Sequence, residues 1–237
     1  MSTAMREAAP PTLDIDPSLA GVLRVALVWG FGLPGCPEAL SPGASLLDLV
    51  GRVRRAGEAF LTPERKAAVR NMLRHGKYKP AGRSKPSSEY LLAAALEGDP
   101  PLGGFPLVNG PVNANNEVSL EWGYPASVFD LAKTGSEFLL RRGLAGEAFV
   151  FNRSGQTIDL EDLVVVYGRA SGSWEPCGNP VKDSLSSKVF GEARDVAAIV
   201  YAPVAEPEET LAACGARYAE LLRVDCGAAA SGYLVLG

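Results

Sequence analysis

The chain has 237 residues, 47% of them apolar, with 23 Lys and Arg against 27 Asp and Glu, one histidine and four cysteines. A single imidazole excludes two-histidine metal sites and histidine relays, and any Ser-His-Asp site would have to run through His75. Cys36, Cys177, Cys214 and Cys226 form no C-x-x-C pair, and no apolar run approaches the roughly 18 residues of a spanning helix, so neither zinc site, disulfide framework nor membrane span is spelled out. No cofactor or metal is expected. Residues 1–11 lack the apolar core of a signal peptide, which makes a cytoplasmic location the expectation.

In chain order, residues 1–12 read as a flexible tail and 13–237 as one domain. The β-branched run 22–31 reads as a buried strand. It leads into Gly30-Phe31-Gly32-Leu33-Pro34-Gly35, formally G-x-G-x-x-G, but Pro34, Pro37 and Pro42 interrupt the helix a dinucleotide site requires. Helices follow over 45–60 and 62–75, the second with Thr62 as N-cap, Pro63 at its first position and Gly76 as its stop. Its apolar stripe is Val69, Met72 and Leu73, which leaves Arg65, Lys66, Arg70 and Arg74 facing solvent, and His75 is expected as a C-terminal cap.

Residues 77–86 form a polar linker, and Ser87 or Ser88 can cap a helix over 89–97. In the asparagine-rich stretch 108–123, Val112, Asn115 or Asn116, Ser119 and Trp122 fall at helical spacing, so amides share a face that should pack inward and need partners there. Short strands are expected at 138–141, 148–151, 163–167 and 196–201, a long irregular loop at 172–185, a helix at 206–224 with Leu211, Cys214, Tyr218 and Leu221 on one face, and a closing strand at 233–236. The sum is an α+β protein, helical first and then strand-rich.

Net charge hides an uneven distribution. Between Arg52 and Pro86 eleven basic residues face only Glu58 and Glu64, a local +9 that leaves −13 for the rest. Such asymmetry points to a polyanion partner or to an internal acidic counter-surface. On the first reading Arg65, Lys66, Arg70, Arg74, Lys77, Lys79, Arg83 and Lys85 meet RNA phosphates, with Tyr78 the one aromatic among them.

The series Asn116-x-x-x-Leu120-Glu121-x-Gly123-x-Pro125-x-x-x-Phe129-Asp130-Leu131 resembles the start of the B3/B4 module of the phenylalanyl-tRNA synthetase beta subunit. The resemblance continues through Leu140-Arg141-Arg142, Gly146-Glu147-x-Phe149, Asp162 to Val165 and the 196–201 strand, covering roughly residues 70–203. Lys79-Pro80, Pro86-Ser87-Ser88-Glu89 and Lys182-Asp183-Ser184 are similar to segments of free-standing members. It implies a mixed sheet and helix module that binds the 3′ end of charged tRNA and hydrolyses wrongly attached tyrosine, without the synthetase activity itself.

The chain departs from that pattern at Ser127, which stands where the bacterial module has an editing histidine, and its 196–201 strand carries no carboxylate. Asn116, Ser127 and Asn179 could donate to an oxyanion, Glu121 is the nearest carboxylate by sequence, and no residue offers itself as general base. The weak catalytic candidates are therefore Asn116, Glu121 and Ser127. The expected substrate pocket is Asn115, Asn116, Ser119, Ser127, Asn179, Lys182 and Asp183.

Three functions stay open. One is a free-standing module that binds tRNA or aminoacyl-tRNA, with hydrolysis of mischarged tRNA in trans as the implied activity. Another is a non-catalytic binder of a free amino acid or similar metabolite. The third is a protein-interaction domain whose basic helices meet an acidic partner. DNA and membranes are not expected partners.

Overall fold

The computed structural model describes residues 9–38 and 41–237. Its elements in order are β1 (Thr12–Ile15), β2 (Leu23–Phe31), α1 (Ala44–Ala56), α2 (Pro63–Leu73), α3 (Ser87–Leu96), α4 (Gly110–Trp122), β3 (Ala126–Asp130), the short α5 (Leu131–Thr134), β4 (Glu137–Arg142), β5 (Ala148–Val150), β6 (Thr157–Asp159), β7 (Val164–Gly168), β8 (Glu175–Gly178), β9 (Val196–Pro203), α6 (Glu208–Val224) and β10 (Ala230–Leu236). The fold is α+β: helices dominate the first half, strands the second.

Two four-stranded sheets and a hairpin carry the strands. One sheet runs β10-β2-β9-β3, antiparallel throughout. The other runs β1-β4-β7-β8, with β1 parallel to β4 and the remaining pairs antiparallel; β5 and β6 pair separately. Apolar residues of both sheets join one core that includes Val25 to Val28, Val164 to Tyr167 and Val196 to Ala202. All of β3 and β9 is buried, which explains why the side chains of β9 read as a continuous apolar run rather than an alternating one.

A smaller apolar cluster joins the helices α1, α3 and α4. In α1, Leu46, Leu49, Val50 and Val53 recur at three- and four-residue spacing, so one stripe is buried against Leu91, Leu92, Ala95 and Leu120. Each such side chain contributes roughly 1.5–3 kcal/mol of burial. Thr62 caps α2 by accepting from the Arg65 amide, and Gly123 ends α4 in the left-handed region at φ 73°, which a residue without a Cβ adopts freely. No helix among the described residues is long and apolar enough to cross a membrane.

The structure corrects several sequence expectations. Thr12 belongs to a strand, held by β4, and the rest of the expected tail up to residue 8 lies outside the described residues. α1 stops at Ala56, and residues 57–60 tighten into a 3-10 turn. Ser87 and Ser88 lie inside the first turn of α3 behind Pro86 rather than at its cap, and Ser88 is buried. α2 ends at Leu73 with Arg74 as its C-cap, so exposed His75 lies past the helix and pairs with Tyr78 in an isolated bridge.

The 172–185 segment is not an irregular loop: it contains β8, followed by a turn closed by Asn179 N to Lys182 O (3.0 Å) and Ser184 N to Cys177 O (2.7 Å). Glu-Pro-Cys-Gly carries almost no strand propensity, so nothing in its residues announces β8, and pairing with β7 supplies what the side chains lack. As expected, no helix opens on the glycine motif after β2. There the Gly32 amide donates to Asp195 Oδ1 at 2.8 Å.

Candidate functional site: a small polar-walled cavity

A cavity of about 270 Å³ lies between α4, β3 and the turn after β8. Each wall has a local cause. Val112, Asn115 and Asn116 share one face of α4 at helical spacing. Strand alternation turns Ala126 and Val128 of β3 toward the cavity. Asn179, Val181, Lys182 and Asp183 come from the turn, Lys188 to Phe190 from the chain beyond it, and Ser87 from the start of α3.

Of the expected pocket residues, five line this cavity: Asn115, Asn116, Asn179, Lys182 and Asp183. Two do not. The Ser119 hydroxyl donates to the Tyr124 carbonyl at 2.7 Å, holding the turn that ends α4. Ser127 lies on the side of β3 away from the cavity, fully buried, where its hydroxyl donates to the Asn179 carbonyl (3.3 Å) and accepts from Tyr201 OH (3.2 Å). Glu121 is also outside it: its carboxylate accepts from Arg52 Nη2 at 3.1 Å and has Arg217 Nε 3.9 Å away.

Two buried tyrosines stand behind the walls. Tyr218 of α6 donates to Asn115 Oδ1 at 3.1 Å, and the same amide donates through Nδ2 to the Ala126 carbonyl at 3.2 Å, which fixes its orientation. Tyr201 of β9 reaches the turn through Ser127 and the Asn179 carbonyl. The Asn179 side chain spends its Oδ1 on the Val181 and Lys182 amides at 2.9 and 3.0 Å, a compact Asx turn.

The remaining polar atoms of the wall are unusual because they lack partners. Among the described residues, four buried side-chain polar atoms have none: Trp122 Nε1 and, all from cavity-lining residues, Ser87 Oγ, Asn179 Nδ2 and Asp183 Oδ1. All three are shielded, so they lie behind the cavity surface rather than on it. Asp183 Oδ2 accepts from the Val128 amide at a long 3.4 Å. Burial pushes the Asp183 carboxyl up to about 7, against the lowering pull of the Ser127 hydroxyl, the Val128 amide and the Lys188 charge. Burial also lowers Lys188, which Asp183 partly offsets.

The cavity continues outward. Lys182 is shared with a groove lined by Arg83, Tyr90, Phe151 and the β5–β6 hairpin, and Lys188 and Phe190 with a second groove that contains Arg153. Lys85 lies 4.6 Å over the exposed Tyr90 ring, Lys182 4.4 Å over Phe151, and Lys133 and Arg153 lie 4.4 and 5.6 Å from Phe190. None of Arg83, Lys85, Arg153, Lys182 or Lys188 has a carboxylate within 4 Å among the described residues.

The basic helices are different. Arg65 grips Glu206 with both terminal nitrogens (2.5 and 3.1 Å) and the Tyr124 hydroxyl with one (2.6 Å). Arg70 pairs bidentately with buried Glu89, Lys66 with Glu58 and Lys77 with Asp159 and Glu161, while Arg54 donates to the Ala95 and Gly98 carbonyls. Arg74, Lys79 and Arg83 are exposed and carry no ion pair among the described residues. Charge counting puts all eight on one basic surface; half of them are occupied by internal acids.

Lys188, Phe190, Ser87, Tyr201 and Tyr218 contribute to the site without having been expected there. Only Tyr218 carries a signal, as a polar group on the apolar face of α6; the others reach the cavity through strand pairing and chain reversal, which no local pattern encodes. Among the described residues no three His, Cys, Asp or Glu side chains cluster as a metal site. No protein-family model matches the chain, and no curated protein proved similar to it.

Proposed function

We propose that this protein is a free-standing B3/B4-type module that binds the aminoacyl end of a charged tRNA in the cytoplasm. The observation that carries the reading is the convergence of Asn115, Asn116, Asn179, Lys182 and Asp183 on one cavity. At about 270 Å³ the space lies just below the range of roughly 300–1,000 Å³ usual for drug-sized ligands, so it takes an amino-acid-sized group and leaves a larger remainder outside. The adjoining groove suits that remainder: Arg83, Lys85 and Lys182 offer charge to phosphates and Tyr90 an exposed ring for a base.

The test is retention on filters of aminoacylated against uncharged tRNA across a salt series. The expected outcome is tighter binding of the charged form, affinity that falls with salt, and loss of the preference on Asn116→Phe, which narrows the cavity from α4. Equal retention of both forms by the wild-type protein would overturn the reading.

One observation favours the second reading, a binder of a free amino acid: Arg65, Lys66, Arg70 and Lys77 are already neutralised internally, which leaves fewer cations for RNA. On that reading a thermal-shift panel of amino acids raises the melting midpoint, and RNA retention shows no salt slope.

A further inference from the structure

We infer that β10 is a self-pairing edge: two copies of this chain join along it, merging their four-stranded antiparallel sheets about a two-fold axis at Tyr233. The inference is independent of what the cavity binds. β10 is the outer strand of its sheet and pairs only with β2 among the described residues. The Val204 amide donates to the Val22 carbonyl, so even-numbered residues of β2 bond to β9 and odd-numbered ones to β10. In register with these, Gly232, Leu234 and Leu236 are spent on β2, and the amides and carbonyls of Ser231, Tyr233 and Val235 point outward.

The other sheet edges are guarded and this one is not. At β3, Asn115 Nδ2 donates to the Ala126 carbonyl, the Val128 amide to Asp183 Oδ2, and Thr134 Oγ1 to the Asp130 carbonyl, at 3.2, 3.4 and 3.2 Å. β1 is four residues long and carries exposed Asp14, and β8 holds Glu175 and Pro176. β10 spans seven residues with no charge and no proline, and it exposes Tyr233 and Leu234. An edge of that kind is a template for another strand.

The strand that fits it is its own image. Pairing Tyr233 with Tyr233 of a second copy sets Ser231 against Val235, so every outward group finds a partner. Leu234 then lies opposite Gly232, where the Trp29 ring covers the space a side chain would take, and the exposed leucine gains an indole to pack on. On the other face, Gly215 of α6 touches Tyr233 and the Ala219 carbonyl accepts from Ser231 Oγ, so α6 runs antiparallel to β10. With α6 seated over β10 and β2 and strands about 4.8 Å apart, the two α6 helices come to roughly 10 Å, an ordinary interaxial distance. Arg217 pairs with Glu117 of α4 on the flank toward β3, so the flank toward the open edge presents Ala212, Ala216 and Arg223. The alanines leave room for close approach. With Gly215 near the axis, Arg223 of one helix meets Glu208 and Glu209 of the other, and none of these three has an ion-pair partner in its own chain among the described residues. β3 is the opposite edge of the sheet, so both cavities stay open.

Sedimentation equilibrium and amide hydrogen exchange of the full chain over a concentration series test the inference. A dimer is expected, and the Ser231, Tyr233 and Val235 amides should become protected as it forms, while those of Gly232, Leu234 and Leu236, already bonded to β2, change little. Leu234→Lys should weaken association by about tenfold or more while leaving the melting midpoint of the dilute protein unchanged. Arg223→Glu should weaken it as well, and adding Glu208→Lys and Glu209→Lys should restore the dimer, a rescue that a folding defect would not give. Wild-type protein that stays monomeric overturns the inference, as does a dimer indifferent to both Leu234→Lys and Arg223→Glu. Protection of the outward amides that only a foreign peptide brings about would give the edge to that peptide and overturn it too.

Discussion

The basic helix α2 and the turn after β8 solve opposite problems with the same kinds of side chain. On α2, every strongly placed cation has found an acid: Arg65 is held by Glu206 and Tyr124, and Arg70 by Glu89. In the turn, Asn179 and Asp183 are folded into place with donor and acceptor atoms left over. Charge density along the chain points to α2. The cavity lined by Asn179, Lys182 and Asp183 points to the turn, because the paired groups of α2 have little left to offer a ligand.

The largest effect expected at the turn comes from Gly178. A Cβ built there runs into Asp183 Oδ1 and the Phe129 ring, so Gly178→Ala must shift either the turn or the core, and about 2–3 kcal/mol of stability should go with it in denaturant titrations. On α2 the comparable substitution is Arg65→Leu, which strands partly buried Glu206 and the Tyr124 hydroxyl. A loss of about 1–3 kcal/mol is expected, and an equal loss from Arg74→Glu would break the distinction between paired and unpaired cations. Arg74, Arg83 and Lys85 are therefore the cations whose reversal tests RNA binding, since stability should move by no more than about 0.5 kcal/mol.

pH separates the two kinds of site with opposite signs. Asp183 has a raised folded pKa, so it holds more protons folded than unfolded: stability is highest below its unfolded value and falls as pH rises toward about 7. Asp183→Asn should therefore be more stable than wild type at pH 8, by on the order of 1–3 kcal/mol in denaturant titrations, with the difference vanishing near pH 4. Glu147 shows the saturated case. The Arg141 guanidinium, helped by the Leu144 amide and the Tyr167 hydroxyl, holds its carboxyl down to about 2, so its contribution is complete above about 4.5 and lost as pH falls toward 2. Glu147→Gln should cost about 1 kcal/mol at pH 7, after allowance for solvent screening, and nothing at pH 2 in melts across that range.

Tyr218→Phe acts on the cavity wall itself. It leaves Asn115 Oδ1 without its donor and should cost about 1 kcal/mol while loosening one wall of the cavity, read as weaker ligand-induced stabilisation.

Much of the frame is legible in local periodicity alone. The α2 stripe, the Thr62 cap, the β2 and β9 runs and the inward asparagines of α4 all follow from spacing and side-chain chemistry, and each stands within a few residues of its expected place. β1, β6 and β8 are not legible, since strands of three or four residues with ordinary composition exist only because a partner pairs with them.

The site divides along the same line. Asn116, Lys182 and Asp183 stand in segments that carry the resemblance, and Asn115 and Asn179 stand close to them along the chain. Which atoms among them are free, that Ser127 faces away, and that Glu206 and Glu89 consume the arginines of α2 are decided only by the tertiary structure. Sequence determines which groups are available; whether each is satisfied depends on distant partners, 141 residues away for Arg65, and those are set by packing.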